Sequence, residues 1–200
     1  GLNLLALASS RLPSVIRAVA VQGMVLGVIP LLMEAHFDWR VASVAAVTVA
    51  VKGFVIPGLL ARAMRSAKID REIDPFIGYV PSLLLGAAGT IAAVAGARAL
   101  PLLPEHAGTL LVPGSLASVL TGFVLLVGRA KAISQVCGYL ILENGIYLFG
   151  LLLINSTPLL VESGILLDLT VGVFVIGIIV DRIQRAFDSL DTRKLTVLRE

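Results

Sequence analysis

Three ionisable side chains lie well inside apolar stretches of this sequence: Lys52, Glu143 and Asp168. Glu143 has about ten residues of apolar chain on either side, which together are long enough for a helix to cross a bilayer. An ionised side chain in the middle of a membrane costs about 2.5–3.5 kcal/mol on insertion scales. Such residues need partners, water or a function, and we interpret all three as candidates for moving protons or ions.

Glu143 belongs to a polar stripe. Gln135, Tyr139, Glu143 and Tyr147 are spaced by four, so they share one face of a helix. The tyrosines can donate hydrogen bonds to the carboxylate, and such a row can hold water. The functional interpretation is a proton relay or an ion site. The alternative is a buried carboxylate that fixes helix packing through a hydrogen bond to a neighbour.

Lys52 and Asp168 have two interpretations each. A buried lysine can change its charge when a nearby acid does, so Lys52 is a candidate for the same path, and the alternative is a fixed ion pair. Pro57 lies five residues beyond Lys52 and predicts a kink in the helix. Asp168 either continues the path or pairs with a neighbouring subunit.

The composition is that of a polytopic membrane protein. Of the 200 residues, 58% are hydrophobic and 14% are charged, whereas typical globular domains are about a quarter charged. The net charge of +3 does not indicate nucleic-acid binding, because basic residues of membrane proteins gather on the cytoplasmic side. A single cysteine, Cys137, excludes an internal disulfide and a cysteine-based cluster. We expect no catalytic residue, metal or cofactor in this chain.

The predicted fold class is all-α, a polytopic membrane helix bundle with six or seven transmembrane helices and a cytoplasmic C-terminus. The apolar segments are 2–8, 14–33, 41–61, 76–100, 110–127, 133–154 and 159–180. All but the first have about the 17–25 residues that a span needs. We expect that the sequence begins part-way through a first helix. A charged loop, 62–74, separates the third segment from the fourth.

The basic residues support this layout, because they are concentrated on one side of it. That side holds Arg11, Arg17, Arg62, Arg65, Lys68, Arg71, Arg129, Lys131, Arg182, Arg185, Arg193, Lys194 and Arg199. The other side holds Arg40 and Arg98. Lysine and arginine mark cytoplasmic loops, so the first side, with the C-terminus, is predicted to face the cytoplasm.

The last three helices resemble the K-type subunit of respiratory complex I and the equivalent C subunit of multisubunit sodium/proton antiporters. A basic loop, a central glutamate and a second acid carry the resemblance, in Gly128-Arg129-Ala130-Lys131, Leu142-Glu143-Asn144-Gly145 and Asp168. The second acid is glutamate in that pattern and aspartate here. We therefore divide the single transmembrane domain, 1–200, into N-terminal helices (1–75), a connector (76–109), a K-subunit-like three-helix unit (110–185) and a polar cytoplasmic tail (186–200).

The whole chain is more similar still to component E of the hydrogenase-4 and formate hydrogenlyase type. The similarity is carried by Ile16-Arg17 with Gln22, Lys52 with Val55-Ile56-Pro57, the 133–153 helix, and Phe187-Asp188-Ser189-Leu190-Asp191-Thr192. It implies a non-catalytic subunit of an energy-converting, complex I-like assembly in the cytoplasmic membrane of a prokaryote. The implied partners are antiporter-like and other membrane subunits, and a soluble redox arm with iron–sulfur and nickel–iron subunits.

In such an assembly this chain would contribute Glu143, Lys52 and Asp168, with Tyr139 and Tyr147, to a proton or ion path. Two alternatives stay open. One is a stand-alone ion transporter or antiporter, for which the buried charges would line a transport path. The other is a purely structural scaffold subunit, in which the buried charges serve assembly alone.

Overall fold

The protein is described by a computed structural model, which covers residues 1–33, 39–100 and 109–153 and the single residues 171, 172 and 177. Its elements within these ranges are α1 (Leu2–Ala8), α2 (Leu12–Met33), α3 (Trp39–Thr48), a π-helical segment (Val49–Val55), α4 (Ile56–Ala67), α5 (Tyr79–Ala99), α6 (Leu111–Gly128) and α7 (Ala132–Leu153). The described part of the chain is therefore helical, which agrees with the predicted all-α class.

Within the described residues, four helices are long and apolar enough to cross a membrane, and they indicate a membrane protein. They span Leu12–Leu32, Trp39–Ala67, Tyr79–Ala99 and Leu111–Gly128. The helix α7 has 22 residues and carries Gln135, Glu143 and Asn144 among its apolar residues. The predicted seventh segment, with Asp168, and the polar tail fall outside the described residues except at 171, 172 and 177. The number of six or seven spans stays a prediction.

The charged loop predicted for 62–74 begins later than expected, because α4 continues to Ala67. Leu60, Ala63 and Met64 are buried on one face of this last stretch, while Arg62 and Arg65 are exposed on the other. A helix with this pattern is stable at the edge of a core, since only its apolar face must be covered. The helix ends where Lys68 adopts a left-handed conformation, with φ of 53°.

The core of the bundle lies where α1, α2, α4 and α7 meet, with α6 packed along α7 and α5 packed on α1 and α6. Leu7, Leu60 and Ile141 are completely buried in this core. The outer helix α5 leaves most of its apolar residues exposed, including Val80, Leu84 and Ile91. This is the expected arrangement when the solvent around the helices is lipid.

The three loops that the sequence layout places on one side lie together at one end of the bundle. Leu12 N donates to Asp70 O at 3.1 Å and Glu72 N donates to Ser10 O at 3.0 Å, which joins the α1–α2 loop to the α4–α5 loop. Ala130 N donates to a side-chain oxygen of Glu72 at 3.1 Å, which adds the α6–α7 loop. We call this end of the molecule the loop end.

Candidate functional site

Two of the three candidate charges meet inside the bundle. The Nζ atom of Lys52 lies 2.6 Å from Oε1 of Glu143, and the two side chains are only 5% and 3% exposed. The residues are 91 positions apart in the sequence and lie on different helices. A direct ion pair compensates for much of the cost of removing both charges from water, so each residue makes the burial of the other tolerable.

The π-helical segment Val49–Val55 presents Lys52 to the bundle interior. A π turn inside an α-helix is rare and is frequently found at functional sites. Here it lies between α3 and α4, and Pro57 follows at the start of α4. Regular α-helical geometry is therefore interrupted in the segment that contains Lys52, just before Pro57, and the kink at Pro57 stays a prediction.

A glycine on α2 allows this segment to come close. A Cβ atom added at Gly23 would lie 2.6 Å from Lys52 Cβ and 2.8 Å from Lys52 O. These distances are shorter than real Cβ atoms allow, so any larger residue would push α2 away from Lys52. On the other side of the contact, Gly53 accommodates Met24, whose Cγ would lie 2.5 Å from an added Cβ. The position of Lys52 thus depends on glycine at this crossing.

Glu143 is positioned by a tight contact between α6 and α7. A Cβ atom added at Gly138 would lie 2.7 Å from Leu126 N, and one added at Gly145 would lie 2.7 Å from Ser115 O and Val119 N. Gly122 meets the backbone of Leu142 in the same way. Small residues that let backbones touch are typical of helix pairs in membranes. The glycine contacts fix the position of α7 along α6 and its rotation about its own axis. They thereby fix the direction in which Glu143 projects.

Only part of the predicted polar stripe of α7 lies near the Lys52–Glu143 ion pair. Lys52 Nζ lies 5.9 Å from the centre of the Tyr147 ring, within the range of a cation–π interaction. Gln135 is instead directed to the loop end, where its Nε2 donates to Arg129 O at 2.9 Å. Tyr139 is half-buried between them. Asp168, the third candidate charge, lies outside the described residues.

Glu72 is a buried acid that sequence reasoning counted only as part of a charged loop. Its Oε1 accepts hydrogen bonds from Ala130 N and Lys131 N, both at 3.1 Å. Its Oε2 accepts from the Ser134 hydroxyl, and the residue is 3% exposed. Ala130 and Lys131 directly precede α7 and Ser134 lies in its first turn, and N–H groups at the start of a helix have no partner within it. Glu72 therefore caps the helix that carries Glu143, from a loop that follows the helix carrying Lys52.

Arg129 is the buried base of the loop end. Its guanidinium donates to Leu7 O at 2.7 Å, Ile77 O at 3.0 Å and Ser82 Oγ at 3.4 Å, and it lies 4.7 Å from the centre of the Tyr79 ring. Burial lowers the pKa of Arg129 from its usual value, and the charges of Tyr79 and Glu72 oppose that shift. We call Glu72, Arg129 and the groups they bind the loop clasp.

The chemistry open to this site is proton exchange and charge compensation. Among the side chains in 1–33, 39–100 and 109–153, no three or more histidine, cysteine, aspartate or glutamate residues come together to hold a metal ion. Lys52 and Glu143 are both groups that gain or lose a proton, and they share one short contact. The pair can be buried with both residues charged, or with both neutral after a proton has passed from Lys52 to Glu143. In neither state is a buried charge left without a partner of opposite charge.

A mycobacterial protein matches nearly the whole chain. The chain is 36% identical over 191 residues to the uncharacterised protein Rv0085 of Mycobacterium tuberculosis (strain ATCC 25618 / H37Rv). The aligned region covers 94% of this chain and 87% of the mycobacterial protein. No protein-family model and no solved structure matches the chain.

A shorter match is found to hydrogenase-4 component E of Escherichia coli (strain K12), and with the same figures to that of Shigella flexneri. It is 34% identical over 85 residues, which are 42% of the chain and 39% of component E. The match thus spans well under half the length of those proteins, and it shows a partial similarity to hydrogenase-4 component E. By the mycobacterial match, which extends over almost the full length of both proteins, the chain belongs to the same family as the protein of Mycobacterium tuberculosis.

Proposed function

We propose that this chain is a non-catalytic membrane subunit of an energy-converting, complex I-like assembly, of the membrane-bound hydrogenase or formate hydrogenlyase type. In this proposal the buried Lys52–Glu143 pair is a step on its proton path. The observation that carries the proposal is the pair itself, at 2.6 Å between two helices and almost completely buried. The partial similarity to hydrogenase-4 component E supports the choice of assembly.

The pair suits this role because each charge controls the other. Two unit charges about 4 Å apart interact by about 4 kcal/mol at an effective dielectric constant near 20. Protonation of Glu143 removes that attraction, so Lys52 can then release its own proton or move. A change of charge near the redox arm would start the sequence at Glu143, and Lys52 and Asp168 would respond in turn. Tyr139 and Tyr147 would line the same path.

The assembly would lie in the cytoplasmic membrane of a prokaryote, with the loop end on the cytoplasmic side. Its other parts would be antiporter-like membrane subunits and a soluble arm whose iron–sulfur and nickel–iron centres carry the redox chemistry. The first test is purification of the chain from gently solubilised membranes, with the bound subunits identified by mass. Stoichiometric antiporter-like and redox subunits are expected. A chain that purifies alone would overturn the assembly and favour a stand-alone transporter.

The second test is Glu143→Gln, measured in native membranes for both the amount of assembled complex and the proton uptake driven by the electron donor. We expect the complex to assemble, because the side-chain oxygen of glutamine can still accept the hydrogen bond of Lys52, and proton uptake to be lost, because a carboxamide does not take up or release the proton. Leu140→Met, a buried apolar change on the same helix, is the matched control and should leave both unchanged. A Glu143→Gln complex that assembles and still pumps would refute the proton path, and a loss of complex alone would favour a scaffold.

A further inference from the structure

A second polar row crosses the bundle beside the ion pair. Gln22 on α2 donates from Nε2 to Oδ1 of Asn3 on α1 at 2.5 Å. Asn3 then donates from Nδ2 to Oγ of Ser118 on α6 at 3.1 Å. Side-chain hydrogen bonds thus connect three helices. We call Asn3, Gln22, Ser118 and Thr121 the lateral polar row.

The lateral polar row lies at the depth of Lys52 and Glu143. Gln22 is next to Gly23, the residue at which α2 touches the backbone of Lys52. On α6, Ser118 and Thr121 lie between Ser115, which meets Gly145 of α7, and Gly122, which meets Leu142 of α7. These contacts lie on either side of Glu143 along α7. The row and the ion pair therefore occupy one level of the bundle.

Two oxygen atoms of this row are buried and have no hydrogen-bond partner within the described part of the chain. They are Oε1 of Gln22 and Oγ1 of Thr121, and Thr121 is only 1% exposed. Hydroxyl groups in these helices usually bind a carbonyl one turn back, as Ser118 does with Gly114 O at 2.9 Å and Thr90 with Gly86 O at 2.7 Å. Thr121 has no such bond, so its hydroxyl is available to another partner.

A buried polar atom without a partner costs about 1–3 kcal/mol. Lipid cannot supply the missing bond. Internal water molecules meet this need in proteins, typically by making about three hydrogen bonds to buried polar groups that otherwise have none. A carboxamide oxygen and a hydroxyl oxygen both accept hydrogen bonds from water, and the hydroxyl also donates. The chemistry of the two atoms thus selects water as the ligand.

We propose that the lateral polar row is a buried water-binding site between α1, α2 and α6, and that it supplies protons to the Lys52–Glu143 pair from the side of α1. Water bound at Gln22 and Thr121 gives protons a route through hydrogen-bonded oxygens at the same depth as Glu143. The binding of water stands on the geometry of the row. Its part in supplying protons rests on the proposed function.

Water is tested by the chemical accessibility of position 121 in the complete complex in native membranes. Thr121→Cys is prepared in a Cys137→Ala background and treated with a small cationic methanethiosulfonate reagent, which reacts with thiols that water reaches. Leu125→Cys is the matched control, because Leu125 is on the same face of α6, is 2% exposed and lies closer to the loop end, but packs in the apolar core. We expect position 121 to react and position 125 to stay unmodified. Two unreactive positions, or equal reaction at both, would overturn the water site.

Proton supply is tested by Thr121→Val and Gln22→Leu, which remove the two oxygen atoms. Thr121→Val keeps the shape of the side chain, so the amount of complex should not change. We expect donor-driven proton uptake to fall by about a hundredfold, the low end of what a positioned proton-transfer group contributes. Normal uptake in both variants would overturn this proposal. If Glu143→Gln abolishes uptake in the same membranes, only the lateral route has failed, whereas normal uptake in all three variants overturns the proposed function as well.

Discussion

The middle and the loop end of the bundle each bury one acid and one base, but the two regions hold them in different ways. Lys52 and Glu143 contact each other directly at 2.6 Å across two helices. Glu72 and Arg129 are instead held by fixed groups: backbone N–H groups and a hydroxyl for the acid, and carbonyl oxygens for the base.

This difference separates a charge that can change from one that holds the structure together. The partners of the loop clasp are mostly backbone groups, which do not gain or lose protons, so Glu72 and Arg129 have a constant environment as long as the loops stay folded. The partner of Lys52 is itself titratable, and its charge alters the energy of the pair. The same residue types therefore have a structural role at the loop end and a proposed proton-transfer role in the middle of the bundle.

The largest effect on stability is expected when one member of the central pair is replaced by an apolar residue that cannot bind the other. Lys52→Met should destabilise the folded chain by about 3–5 kcal/mol, because it leaves the Glu143 carboxylate buried without its cationic partner. Lys52→Met combined with Glu143→Leu should recover most of this loss, since no buried charge is then left. Thermal unfolding in detergent measures both. A double variant as unstable as the single one would show that the ion pair is not what the middle of the bundle depends on.

Glu72→Ala should have the next largest effect, a loss of about 2 kcal/mol, because the start of α7 loses its cap and buried donors lose their acceptor. Glu72→Gln, which retains one carbonyl oxygen, should lose less. Proton uptake per assembled complex should stay near normal in Glu72→Gln, in contrast to Glu143→Gln. The amount of complex on native gels and the donor-driven uptake measure the two quantities. If Glu72→Gln lost proton uptake while its stability stayed normal, Glu72 would have a role in proton transfer, and the contrast between the loop end and the middle of the bundle would not hold.

Arg129→Lys should cost about 1–2 kcal/mol, because an ammonium group lacks the planar fork that reaches Leu7 O and Ile77 O together. The change keeps the positive charge, so it separates hydrogen-bond geometry from electrostatics. A lower unfolding temperature with unchanged proton uptake is expected. An unchanged unfolding temperature would mean that charge alone accounts for the contribution of Arg129.

The smallest effect is expected at Tyr147, whose ring lies 5.9 Å from Lys52 Nζ. Tyr147→Leu should lower stability by about 1 kcal/mol through loss of the cation–π interaction, while Tyr147→Phe should retain it. The difference in unfolding temperature between the two variants isolates the contribution of the ring. Equal values would show that Lys52 depends on Glu143 and not on the aromatic face.

Periodicity and length predicted the helices well. The segments predicted at 14–33 and 110–127 are helices at Leu12–Met33 and Leu111–Gly128. Charge alone places Arg62 and Arg65 in a loop, whereas they lie on the exposed face of an amphipathic helix that continues to Ala67. The rule that a buried charge needs a partner identified Lys52 and Glu143 before their contact was known.

The loop clasp was beyond sequence reasoning for a physical reason. Glu72 binds Ala130 at a separation of 58 residues, and Arg129 binds Leu7 at a separation of 122. Their partners are backbone groups, whose availability depends on where helices end rather than on residue type. The same holds for Thr121, which is an ordinary residue in the sequence and becomes notable only because its hydroxyl lacks the usual carbonyl partner.

The glycine contacts between α6 and α7 also have a mechanical consequence. At Gly122, Gly138 and Gly145 the two backbones touch without intervening side chains, so neither helix can turn or slide past the other without a clash. The helices α6 and α7 are therefore expected to move as one rigid unit. A displacement of the α7 backbone at Glu143 therefore carries Ser115 and Val119 of α6 with it. A change in the separation of Lys52 and Glu143 therefore requires the α6–α7 unit to move relative to the helices that hold Lys52.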